Sequence, residues 1–487
     1  MPRIPLFSLL VSIPAIVAAP STTAQVSRNV QLLGTLDPAP RFSEYNDVWG
    51  YVDPATGKEY CLLGSEDGTH VIDCSDPANP VERGMIPSDS SFSSGNFWRD
   101  IKTYGSYAYV VSEAHGGMQI IDLRDADNPV KVKTWGSWSN AHNIGVDAET
   151  GIVYVCGTGR GTYAIDVASD PVNPTQLYRL RNPYIHDLSV HRGYGYFADQ
   201  NGNNLQIYDV TQMPASMPRL SSVRMPGGST AHATWPTRDN DYCLGANESS
   251  GGPVSIWDVT NKRLPRLLTT YTAGPSNAIP HNVFIRDRVA HISYYTEGYR
   301  TVDLSDPANP VEVGYYDTYS GASGGYDGAW GCYHLQPSGV IYISDVQSGL
   351  FIFKPASSAE RYGDATTGSA GATPVIHAFG AAFVGNGNFA LEAEAAPPAR
   401  VGALIVGSGR TSVTVAGVAF HVPLVVPQPV IIPMTSDGAG TVKVPLPVPA
   451  MAAVAGATLN AQMVFIDSSA PFDWSATQGL EFSTFTP

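Results

Sequence analysis

Residues 303–314 read DLSDPANPVEVG, and residues 73–84 read DCSDPANPVERG. One chain thus writes nearly the same twelve residues twice, 230 positions apart. Duplication on that scale predicts worn copies in between, and they are present. DLRDADNPVKVK starts at Asp122, DVASDPVNPTQL at Asp166, DVTQMPASMPRL at Asp209 and DVTNKRLPRLL at Asp258. The leading aspartates, at 73, 122, 166, 209, 258 and 303, are 43 to 49 residues apart. A period in the forties without helical patterning predicts a propeller or a solenoid.

The unit ending at Asp303 shows which. HNVFIRD (281–287), RVAHISYY (288–295) and YRTVDL (299–304) each read as a strand, and VEVGYYD (311–317) as a fourth. Between the third and fourth, SDPANP is a turn, because Asp306 can bond the backbone ahead and each proline ends strand pairing. Four antiparallel strands per unit make the blade of a β-propeller. Six units carry the repeated aspartate, and GAWGCYHLQPSGVIYISDVQSGLFIFKP (328–355) begins a seventh that stops after three strands. NVQLLGTLD (29–37) matches NPVEVGYYD (309–317) at Asn29, Gly34 and Asp37, a fourth strand with nothing before it. The expectation is an all-β chain: a seven-bladed propeller over 29–355, closed by residues 30–36 and so freed of an open sheet edge.

Other segments fall outside that frame. Arg3 and the apolar run from Ile4 to Ala19, followed by PSTTAQV, read as a secretory signal peptide over 1–24, and Pro5 and Pro14 argue against a spanning helix. No other segment is long and apolar enough to span a bilayer. ASSAERYGDATTGSAGA (356–372) reads as a flexible linker. Residues 373–487 hold only nine charged side chains, with Val/Ile/Leu runs broken by Pro and Gly, and predict a separate small β-sandwich. Asp plus Glu outnumber Lys plus Arg by 43 to 28, a net charge of −15 that excludes nucleic acid and anionic membrane as partners. Of five cysteines, Cys61 and Cys74 lie on consecutive strands and can face each other, as an oxidising compartment allows. Cys156, Cys243 and Cys332 form no Cys-x-x-Cys pair.

Aligning the innermost strands places Asn46, Arg99, His142, His186, His232, His281 and Trp330 at one equivalent position. The next position holds Asp47, Asp100, Asn143, Asp187, Ala233, Asn282 and Gly331. Four histidines from consecutive blades therefore converge at one end of the channel. Imidazoles arriving from separate strands suit Zn, Cu or Fe, so His142, His186, His232 and His281 are candidate metal ligands. Lining of a wet channel mouth and acid–base work without metal are the other readings. Arg99 either neutralises an anionic ligand or pairs with Asp47. Asp100, Glu113, Asp187 and Glu248 are carboxylates able to orient an imidazole, beside Asn143, Asn282 and Trp330. There is no G-x-S-x-G, P-loop, H-E-x-x-H or dinucleotide fingerprint.

The phrases WRDIKTYGSYAYVVSEAHGGMQIIDL, SNAHNIGVDAETGIVYVCGT, YIHDLSV, IPHNVFI and DPANPVEVGYYDT resemble the choice-of-anchor B family, secreted bacterial propellers built of LVIVD-type repeats. The resemblance covers about 29–355 and implies export and attachment through interchangeable C-terminal devices. Residues 373–487 resemble the β-domain appended to large secreted bacterial proteins; no L-P-x-T-G motif or apolar C-terminal anchor is present. Two functions remain open at this point. One is a secreted or cell-surface binding or scaffold propeller for an extracellular ligand, glycan or protein. The other is a metal-dependent lyase or hydrolase acting on extracellular polysaccharide.

Overall fold

In YAYVVS (Tyr107–Ser112) aromatic and β-branched residues follow one another, and all but the first side chain are buried. A strand with no solvent face needs protein on both sides. The computed structural model describes residues 27–39, 44–89, 98–114, 116–425, 427–468, 470 and 472–487, and it supplies that cover. The signal peptide expected over 1–24 lies outside the described residues.

Tyr107–Ser112 is the second strand of an antiparallel sheet formed with Arg99–Tyr104, Met118–Asp122 and Val130–Trp135. Its last strand, VKVKTW, alternates exposed and half-buried side chains, as the outermost strand of a stack does. The same unit recurs along the chain, with first strands Tyr45–Val52, Asn143–Asp147, Ile185–His191, Ala231–Pro236, Val283–Arg286 and Ala329–Tyr333. Each first strand contacts the next, and Ala329–Tyr333 contacts Tyr45–Val52, so the set closes around one axis. Neighbouring sheets bury a shared apolar layer; Tyr109, Val111 and Ile120 of one pack with Ile144, Val153 and Val155 of the next. Each fully buried side chain of this size contributes roughly 1.5–3 kcal/mol.

The N-terminal segment serves two sheets. Val30–Leu36 pairs antiparallel with Gly349–Pro355, as the sequence predicts. Ser27–Arg28 also adds a fifth strand beside Tyr315 and Tyr316. Asn29 makes the switch between them with a positive φ of 54°, and its side-chain amide donates to the Val313 and Thr486 carbonyls.

Two expectations change. The segment 356–372 is not a free linker: Glu360–Tyr362 forms an edge strand on Gly479–Glu481, and Thr366 bridges to Ala476. Cys61 and Cys74 are not bridged; all five cysteines are buried free thiols, and burial together with the Cys74 thiol raises Cys61 well above the usual thiol range.

The C-terminal region contains a sheet ordered Glu360–Tyr362, Gly479–Ser483, Thr458–Ile466, Val401–Gly407, Val430–Thr435, and a three-stranded sheet of Val375–Phe379, Ala390–Glu394 and Val442–Pro445. Ile376 and Leu391 of the second pack with Leu404, Met463 and Phe465 of the first. This region also packs on the repeats: Ala381 and Phe485 share a buried cluster with Val289 and Val313. Arg238 pairs with Glu392 at 2.7 Å and with Glu394 at 2.6 Å.

Candidate functional site

The first strand of each repeat sits innermost and runs from one end of the channel to the other, so residues early in these strands meet at one mouth. Several of these strands break register there. The pairing shifts between Tyr45 and Val48, Ile185 and Leu188, Ala231 and Thr234, and Ala329 and Cys332. Each bulge spans the two positions singled out by the alignment, and a bulge re-aims the side chains it carries.

The four histidines do come together. Ring centroids are 4.0 Å apart for His142 and His186, 4.4 Å for His186 and His232, and 4.2 Å for His232 and His281. Trp330 continues the ledge 4.3 Å from His281, and Trp98 stacks on Trp330 at 5.6 Å. His186, His232 and His281 are buried, and His142 is half-buried. Burial, reinforced by neighbouring imidazoles, pushes His186 and His232 well below the usual histidine range, and burial takes His281 down to about 3. All three rings are neutral at physiological pH.

Hydrogen bonds sort the four. Glu113 lies 2.6 Å from His142 Nδ1, as expected for an orienting carboxylate. His281 Nδ1 bonds the Trp330 carbonyl at 2.6 Å. The Nδ1 atoms of His186 and His232 have no hydrogen-bond partner. Among the described residues, the His/Cys/Asp/Glu group whose ligand atoms lie within 4.8 Å of one another is His186, His232 and Glu248. Glu248 Oε2 is 3.7 Å from His232 Nε2, and its Oε1 accepts from the Tyr295 hydroxyl at 2.6 Å. The structure therefore assembles two imidazoles and a carboxylate rather than three imidazoles.

The next layer departs further from the expectations. Arg99 does not pair with Asp47: its Nε donates to the Ser65 carbonyl at 2.7 Å and its Nη2 to the Glu66 carbonyl at 3.1 Å. Lys102 takes Asp47 instead, at 3.3 Å, and also bonds Asp100. Asp100 thus serves Lys102 and not an imidazole. Asp187 accepts from the Leu188 N–H at 2.6 Å, and burial raises its carboxyl to about 7. Asn143 and Asn282 are buried with unpartnered Oδ1 atoms. Lys102 lies 4.3 Å over the Trp49 ring, and both line the cavity at the other end of the first strands. Lys102 was legible in principle, since it stands two residues after Asp100 and so shares its face. Tyr295 carried no comparable signal: it lies outside the aligned first strands.

Residues 98–134 and 290–318 match the LVIVD repeat. No curated protein matches the chain. Among solved structures the chain is similar to one titled "Structure of U3-55K", with a TM-score of 0.50 and 10% identity over 67% of this chain and 98% of that one. It is also similar to the crystal structure of RRP9 WD40 repeats, with a TM-score of 0.49 and 10% identity over 68% of this chain and 99% of that one. The chain thus carries LVIVD repeats and has a propeller-type fold of four-stranded antiparallel sheets.

Proposed function

We propose that this chain is an exported binding or scaffold protein of the choice-of-anchor B type: a seven-bladed propeller clasped by residues 30–36, followed by a β-sandwich. Its channel mouth holds one divalent transition metal on His186, His232 and Glu248. The observation that carries this reading is the convergence of two buried imidazoles and the half-buried Glu248 carboxylate within 4.8 Å. Two imidazoles and a carboxylate suit Zn or Fe(II), and Cu is accepted by the same donors. Zn–N bonds of about 2.0–2.1 Å put tetrahedral donor atoms roughly 3.3 Å apart, so loading draws the three slightly inward. Tyr295 fixes the orientation of Glu248, and His142 with Glu113 borders the site. Export rests on the basic and apolar N-terminus and on the family resemblance.

A second reading, a lyase or hydrolase acting on extracellular polysaccharide, is favoured by one feature: a phenol, Tyr295, stands 2.6 Å from a carboxylate of the same site. Metal analysis of the purified protein, followed by Zn(II) and Fe(II) titration, tests the first reading. About one equivalent should bind, and Glu248→Gln or His186→Ala should weaken it at least tenfold while the metal-free fold persists. Wild-type protein that takes up none of Zn, Cu or Fe overturns the site. Polysaccharide turnover that requires the ion would move the assignment to the enzyme.

A further inference from the structure

The opposite end of the channel is built as carefully as the histidine ledge. Lys102 and later residues of all the first strands line a cavity of about 480 Å³. Arg361 and His377 of the C-terminal region complete the lining. That volume lies inside the roughly 300–1,000 Å³ range of small-molecule sites. Trp49, Trp235 and Tyr333 supply flat apolar walls.

The polar lining divides into groups that are satisfied and groups that are not. Lys102 is held by Asp47 and Asp100, and Arg238 by Glu392 and Glu394. Asp147 accepts from the Glu149 N–H and the Thr150 hydroxyl, and half-exposed Glu149 faces His191 and Arg192. Arg286 and Arg361 are left with a single carboxylate, Asp287, between them. Despite burial, His377, Arg286 and Arg361 keep that carboxyl well below its ordinary range. Arg286 donates from Nη1 to the His334 and Gln336 carbonyls, and its Nε lies 3.5 Å from Asp287 Oδ2. Among the described residues, Ser189 Oγ and both ring nitrogens of His334 are buried in this lining with no partner in hydrogen-bond geometry. Burying such groups unsatisfied costs about 1–3 kcal/mol each. Burial, with His291 and Arg286 nearby, keeps the His334 ring neutral, so it offers one donor and one acceptor.

We infer that this cavity binds a sugar acid: a carboxylate against Arg286 and Arg361, hydroxyls against Ser189 and His334, and ring faces against the aromatic walls. A guanidinium pair selects a carboxylate over a neutral group. Two unpartnered neutral polar side chains select hydroxyls over a plain aromatic ring. At this corner two guanidiniums face the one carboxylate of Asp287, which leaves a positive charge for an anion to meet.

Titration calorimetry of the full chain with galacturonate, galactose and benzoate tests this. Galacturonate should bind, and should raise the thermal midpoint, with galactose at least tenfold weaker. Arg361→Gln should weaken galacturonate about tenfold. Ser189→Ala, a change that leaves the barrel packing intact, should weaken galacturonate several-fold and leave any benzoate binding unchanged. Chelator-treated protein should bind galacturonate equally well, which separates this site from the metal site. No galacturonate binding at millimolar concentration overturns the inference, as does galactose binding equally tightly. Benzoate binding that matches galacturonate and ignores Ser189→Ala overturns the sugar and leaves an aromatic-acid site.

Discussion

The turns at 73–84 and 303–314 are nearly identical in sequence and share their backbone hydrogen bonds. Asp73 and Asp303 each accept from the N–H two residues on at 3.0 Å, from Ser75 and Ser305 respectively. Asp76 and Asp306 accept from Ala78 and Ala308 at 3.1 Å, and Asn79 and Asn309 close the loop on them at 2.8 and 2.9 Å. Their surroundings differ completely. Arg83 donates to Asp73 at 2.7 Å, with Lys58 near at 3.4 Å. Val313, which stands where the first copy has Arg83, is buried with Ala381 and Phe485, and Asp303 accepts from the Ala381 N–H. One turn faces charged side chains at the surface, and the other is the floor of the C-terminal region. The lesson is that the turn is a local device, while its electrostatics belong to whatever covers it.

Removing the N-terminal clasp should have the largest effect, because it touches both copies. A chain starting at residue 44 leaves Gly349–Pro355 and Val311–Tyr316 as open edges, and should aggregate or lose several kcal/mol of stability. Equal stability and a monomeric state by sedimentation would show that the clasp is dispensable.

Exchanging the one telling difference between the turns comes next. Val313→Arg buries a charge without a partner and should lose about 3–5 kcal/mol in chemical denaturation. The reciprocal Arg83→Val should lose only about 1 kcal/mol, because Arg83 is partly exposed and its pairing is screened. Equal losses would mean that the C-terminal region does not seal the second turn.

Gly34→Ala sharpens the comparison at the clasp. A Cβ there would stand 2.1 Å from the Pro77 carbonyl oxygen of the first turn, so backbone must move, at about 1–3 kcal/mol. At Gly314 in the second copy the nearest atom is the Arg28 carbonyl oxygen at 3.0 Å, and Gly314→Ala should be milder. The reverse order of melting temperatures would contradict the close approach at Pro77.

The smallest expected effect is a difference in pH slope. Burial tends to raise Asp73, but hydrogen bonds from Ser75 and Arg83 outweigh it and bring the carboxyl down to about 2. A depressed carboxyl stabilises above its unfolded value near 3.9, and that contribution is lost as pH falls toward 2. Burial raises Asp303, so its ionised form is a penalty at neutral pH that is relieved as pH falls through its folded value. The loss on Asp73→Asn, about 1 kcal/mol after discounting for solvent, should therefore shrink on acidification. The loss on Asp303→Asn should grow. Slopes of the same sign in urea unfolding from pH 6 to pH 3 would remove the distinction.

Much of the candidate site was legible because repetition places equivalent residues at equivalent heights. The register alone brought His142, His186, His232 and His281 to one mouth, and the carboxylates near it were named without saying which imidazole each would meet. Repetition could not say which donors close to ligand distance, since that depends on bulges at 186–187 and 232–233 and on Glu248 arriving from the end of Tyr242–Asn247. Nor could it find the partner of Arg99, whose acceptors are backbone carbonyls and carry no sequence signal.

What the amino-acid sequence determined by itself is the repeating unit: the strand alternation, the Asp–Pro turns and the matching strand at the N-terminus. Each follows from interactions within a few residues or from a phrase repeated whole. The tertiary structure alone decided the bonding of Lys102 to Asp47 and Asp100, the covered and uncovered fates of two like turns, and the far cavity lined by Arg361 and His377. These depend on contacts between residues tens to hundreds of positions apart, where burial and proximity of charge set the chemistry of groups that look alike on paper.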